Sequence, residues 1–101
     1  MSNQNLLIIM DDEHSSKVLG CYGNSLVQTP NIDNLAKSGT LFSSAYSTSP
    51  ICVPARAVFA TGQYPHQTGY WDNCLAYDGK VKSWGHILQE NSKSVTSIGK
   101  L

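Results

Sequence analysis

Three residues separate Cys52 from Arg56, the chain's one arginine, in Ser49-Pro50-Ile51-Cys52-Val53-Pro54-Ala55-Arg56-Ala57-Val58-Phe59-Ala60-Thr61-Gly62. This stretch reads as a loop that breaks into a helix. Pro54 suits a first helical turn, where a missing N–H costs nothing, and Gly62 is the expected stop. Cys52 then sits at or just before the helix N-terminus, where unpaired N–H groups and the helix dipole favour negative charge. Arg56, four residues on, returns over the same side of the helix. A reactive side chain at a positive helix end, beside a guanidinium, suits an oxyanion.

Two further places carry chemistry. Asp11-Asp12-Glu13 closes the apolar run Leu6–Met10, and paired carboxylates at a strand end can hold a hard divalent cation through oxygen. The bland alternative is a solvated acidic turn. Lys100 follows Gly99 at the end of a second apolar segment, Val95–Ile98. Cys52 itself admits a thiolate nucleophile, its pKa lowered by the helix end and Arg56, or a buried cysteine at an ordinary helix start. The loop of cysteine phosphatases fits poorly, because it is glycine-rich with a wider Cys–Arg spacing.

The elements that must position these residues are readable from local signals. Leu6–Met10 is continuously apolar, the mark of a strand buried on both faces. Ser15–Gln28 has no clear period and reads as loop. Thr29–Gly39 predicts a short helix, with Thr29 as N-cap, Pro30 in the first turn and Gly39 as the stop. Thr40–Tyr46 predicts a short strand. Gln63–Gly69 reads as a turn holding a lone His66, and Tyr70–Lys82 as a loop. Trp84, Ile87 and Leu88 at helical spacing predict a helix over Trp84–Glu90, and Val95–Ile98 a second buried strand. The expected class is α/β, with Leu6–Met10 and Val95–Ile98 as parallel neighbours. Strand–helix–strand order brings Asp11, Asp12, Cys52, Arg56 and Lys100 to one edge of the sheet.

Bulk properties narrow the function. In 101 residues, seven basic and seven acidic side chains cancel. No basic patch suggests nucleic acid, and no polybasic run suggests a membrane surface. The apolar run behind Met1–Asn5 is too short for a signal peptide or a membrane span, so a cytoplasmic location is expected. Cys21, Cys52 and Cys74 are odd in number and widely spaced, giving neither a disulfide framework nor a zinc knuckle. One domain is expected and no second.

Cys-x-Pro-x-Arg followed by Thr-Gly, over Cys52–Gly62, resembles the signature of the sulfatase family. Asn5–Asp12, Gly20-Cys21-Tyr22-Gly23, Thr29-Pro30-Asn31-Ile32-Asp33, Tyr64-Pro65-His66 and Ile98-Gly99-Lys100 are similar to the N-terminal third of a sulfatase, in the same order. The resemblance covers nearly the whole chain. It implies the N-terminal part of an alkaline-phosphatase-like sandwich, with a mainly parallel sheet flanked by helices.

It also implies a chemistry. Cys52 becomes formylglycine, made by a formylglycine-generating enzyme, and its hydrated aldehyde attacks the sulfur of a small-molecule sulfate ester. Asp11, Asp12 and the modified Cys52 bind a divalent cation, usually calcium. Arg56 orients the formylglycine hydroxyl, and Lys100 contacts the sulfate oxygens. His66 has only a supporting role. Ala55 stands where many members have Ser, and Asn91–Ser97 lacks the Gly-Tyr-x-Thr that often precedes Gly-Lys. The family expects a histidine just beyond Leu101 and further ligands later, so the chain reads as a fragment that is inactive alone. Trp84-Gly85-His86 tilts the resemblance toward the choline-sulfatase-like and phosphonate monoester hydrolase-like branch. A phosphonate or phosphate monoester hydrolase is the alternative activity. A non-catalytic fragment that binds a partner through an unpaired sheet edge is the alternative from another class.

Overall fold

The computed structural model describes residues 4–100, arranged as two compact units, Met1–Ala45 and Tyr46–Leu101.

The first unit is built around α1, Pro30–Ser38, and two 3₁₀ turns, Ser16–Val18 and Gly20–Tyr22. Pro30 opens the helix as its spacing predicts. Thr29 occupies the N-cap position, but its hydroxyl bonds none of the helix N–H groups. It accepts from the Gly20 N–H at 2.9 Å and donates to Asp33 Oδ1 at 3.0 Å. Asp33 Oδ1 also accepts from the Cys21 N–H at 2.7 Å. One side-chain pair therefore welds the Gly20 turn to the start of α1. At the far end Ser38 Oγ donates to the carbonyls of Asn34 and Leu35, satisfying C-terminal acceptors before Gly39.

That weld makes a size demand at position 20. A Cβ on Gly20 would lie 2.4 Å from Asp33 Oδ2 and 3.0 Å from its Cγ. Asp33 cannot swing aside without breaking its bonds to Cys21 and Thr29. Gly20→Ala is therefore expected to destabilise the first unit by about 1–3 kcal/mol, the usual cost of overpacking. A urea titration followed by circular dichroism reads it, and an unchanged midpoint would contradict the weld.

The second unit holds α2, Cys52–Thr61, the single turn α3, Pro65–Thr68, and α4, Trp84–Glu90. α2 ends where the sequence places its stop. Gly62 adopts φ 70°, and its N–H bonds the Val58 carbonyl at 2.7 Å. Ser83 caps α4, its Oγ accepting from the His86 N–H while its own N–H donates to His86 Nδ1. The Trp84-Gly85-His86 stretch is thus the capped first turn of a helix. α4 packs on α2 through Phe59 and Trp84, edge to face with ring centroids 6.3 Å apart. Pro54 and Ala57 on α2 are buried, and so is the Tyr70 ring at 8% exposure.

The expected strands do not form. Leu6–Met10, Thr40–Tyr46 and Val95–Ile98 have no regular secondary structure, and no strand occurs among the described residues. The parallel sheet expected from the apolar runs is therefore not shown among the described residues. A strand is stabilised by a ladder to a neighbour and by side chains packed over its faces, and neither is supplied here. Leu6, Leu7 and Ile9 stay about four-fifths exposed, and Ile98 is 94% exposed. No helix among the described residues is long and apolar enough to cross a membrane.

Candidate functional site

Cys52 is the first residue of α2, half-buried, with Ile51 in extended conformation before it. Ile51 has no side-chain acceptor, so the first turn must find its partners elsewhere. The Ala55 N–H bonds the Ile51 carbonyl at 3.0 Å, and Pro54 has no N–H to offer. The Val53 N–H donates to Asn73 Oδ1 at 3.0 Å, across twenty residues of chain. The helix end was expected to present a cluster of donors to an anion. Proline and Asn73 between them remove most of that cluster.

Arg56 lies one turn along α2 from Cys52. Its Nη1 donates to the backbone carbonyl of Lys100 at 2.9 Å, 44 residues away. The structure thus joins Arg56, on the helix that opens with Cys52, to the Lys100 backbone within the second unit, although Val95–Ile98 is not a strand. His66 does not join them through any hydrogen bond among the described residues. It lies exposed on α3, stacked on the Tyr64 ring at 5.6 Å between centroids.

Asn73 was not singled out by sequence reasoning. Its loop is held by side chains: Asp72 Oδ1 accepts from the Cys74 N–H at 2.8 Å, and the Tyr70 hydroxyl donates to Asp78 at 2.6 Å. Tyr77 packs edge-on against Tyr70 and donates its hydroxyl to the Val81 carbonyl. Lys80 and then the Tyr70 hydroxyl hold the Asp78 carboxyl below the usual carboxylate range. A lowered pKa stabilises the fold above the ordinary carboxylate value, and the contribution fades only as pH falls through the lower one. The exposed Lys80 pair is screened by solvent, so the bond to the buried Tyr70 does more of the holding.

Asp11 and Asp12 belong to the first unit. Asp11 Oδ2 pairs with His14 Nδ1 at 2.7 Å, a partner that sequence reasoning also missed. Its three-residue spacing from Asp11 was the available signal. Two adjacent carboxylates have the right chemistry for a hard cation but fall short of the six to eight oxygens calcium takes. No group of three or more His, Cys, Asp or Glu side chains among the described residues is arranged to share a metal ion. The metal-ligand expectation for Asp11, Asp12 and Cys52 therefore finds only a partial donor set here.

Comparison with known proteins bears on the whole arrangement. The sulfatase family model matches residues 4–100. The N-acetylglucosamine-6-O-sulfatase of Bacteroides thetaiotaomicron is 33% identical over 95% of the chain and 17% of its own length. An uncharacterised sulfatase of Escherichia coli is 38% identical over 99% of the chain and 20% of its own. Human steryl-sulfatase is 43% identical over 98% and 19%. The chain thus spans about a fifth of the length of the curated relatives it matches. No solved structure matches it. A family match over nearly every residue takes in the Cys52 helix, the Asp11-Asp12 pair and Lys100 alike: the chain belongs to the sulfatase family.

Proposed function

We propose that this chain carries the nucleophile end of a sulfate ester hydrolase, with Cys52 oxidised after synthesis to formylglycine by a formylglycine-generating enzyme. The observation that carries the reading is the meeting of Arg56 with the Lys100 backbone beside the helix that opens on Cys52. One hydroxyl of the hydrated formylglycine attacks sulfur, the ester S–O bond breaks, and the alcohol leaves with a proton. The second hydroxyl then loses its proton as the carbonyl re-forms and expels sulfate. Arg56 orients the attacking hydroxyl, and the Lys100 ammonium meets charge growing on the sulfate oxygens, where electrostatic stabilisation is most effective.

Asp11 and Asp12 are proposed as two ligands of a divalent cation, calcium in the family's usual pattern, with the modified Cys52 as its neighbour. Such a cation supplies Lewis-acid stabilisation of developing negative charge. The named relatives above are sulfatases, which favours sulfate over phosphonate or phosphate. The alkaline-phosphatase-like sandwich fits the family and is proposed for the whole domain.

The test is chemical. Co-expression with a formylglycine-generating enzyme is expected to remove the thiol of Cys52 and install an aldehyde that a hydrazide probe captures. Peptide mass analysis reads both, with Cys52→Ala as the blank. A thiol that persists at Cys52 in every such preparation would overturn the proposal.

A further inference from the structure

Helix α2 begins with a conflict between its sequence and its hydrogen-bonding needs. Ser, Thr, Asp or Asn at an N-cap normally accepts a bond from the second or third helical N–H. Ile51 holds that position with no acceptor in its side chain. The Val53 N–H, second in the helix, is satisfied instead by Asn73 Oδ1 at 3.0 Å. We propose that Asn73 is a positioning residue for Cys52, a cap supplied from twenty residues away that fixes the turn on which the nucleophile rides.

Three features support a fixed cap over a passing contact. Asn73 sits on an Asx turn, with Asp72 Oδ1 on the Cys74 N–H and the Asp72 carbonyl accepting from the Leu75 N–H at 3.3 Å. That turn hangs from Tyr70, whose ring is buried and whose hydroxyl is bonded to Asp78. The asparagine side chain is short, so a fixed backbone delivers its carbonyl with little rotamer freedom to lose. Pro54 behind Val53 is fully buried, so the first turn is clamped from both sides.

The choice of a carboxamide is itself informative. An aspartate would cap the turn at least as well, since a negative charge suits a helix N-terminus. It would also set a fixed anion next to Cys52, where the proposed function requires a sulfate to approach. Asparagine keeps the acceptor without that charge. This part of the argument rests on the sulfatase reading; the cap itself does not.

Solvent exchange of the Val53 amide, measured by NMR in the 101-residue chain, tests the cap. Asn73→Ala is expected to speed exchange at Val53 about tenfold, in keeping with a cap of about 1.4 kcal/mol. The Gly62 amide at the other end of α2 should hold its rate, and Asn73→Asp should restore slow exchange at Val53. Equal acceleration along all of α2, no change at Val53, or no rescue by Asn73→Asp would overturn the assignment. The readout needs no formylglycine. Failure of Cys52 to be converted would therefore count against the proposed function and leave the role of Asn73 standing.

Discussion

The 101-residue chain, carrying formylglycine at position 52 and supplied with excess calcium, is expected to hydrolyse no aryl sulfate at an enzymatic rate. Asp11 and Asp12 offer two carboxylates, one already engaged by His14, where calcium takes six to eight oxygens. A cation held so weakly cannot act as an effective Lewis acid. Members of a catalytic unit are strongly non-additive, so a partial site does not give partial activity. The assay sets the modified chain beside a full-length sulfatase on the same substrate. Comparable turnover by the chain, abolished by Cys52→Ala, would show that Cys52, Arg56 and Lys100 suffice.

A charge at position 57 should unfold the second unit. Ala57 is 2% exposed in the middle of α2, and with Pro54 and Tyr70 it makes up most of what this unit buries fully. An uncompensated buried charge costs about 3–5 kcal/mol. A unit of this length holds roughly 3–8 kcal/mol in all at typical per-residue stability. Ala57→Asp is thus expected to abolish the cooperative thermal transition seen by circular dichroism, together with the tertiary signal of Trp84. Gln63→Asp, on the exposed surface just past Gly62, should leave both intact. A normal melt for Ala57→Asp would mean that the unit is held by something other than the packing around α2.

The helices were legible in the sequence because their punctuation is local. Pro30 for α1 and Gly62 for α2 lie at or beside the ends they define, and Trp84, Ile87 and Leu88 mark α4 by their spacing, while its Ser83 cap emerges only in the structure. The apolar runs were legible only as potential strands. Leu6–Met10 has the composition of a central strand, but a ladder needs a neighbour that no local signal supplies, and the run stays irregular and exposed. The site divides in the same way. Cys52 and Arg56 are joined by one turn of helix, and their spacing reveals it. The Asn73 cap and the true partner of the Thr29 hydroxyl depend on residues 20 and 9 positions away. Thr29 looked like a cap for its own helix because nothing nearby shows that Gly20 claims it first.

The Phe59–Trp84 contact bears on how easily the site assembles. Bringing Lys100 to Arg56 in an otherwise open chain closes a loop of 44 residues. The length-dependent part of that closure entropy is about 3 kcal/mol, more than one hydrogen bond returns. Once Trp84 is seated on Phe59, the segment still to be closed is about 16 residues. The closure cost then falls by about 1 kcal/mol, comparable to the net worth of the Arg56–Lys100 bond itself. The aromatic pair thus acts on the site through chain statistics alone, as a tether that raises the effective concentration of Lys100 near Arg56 before either residue is in place.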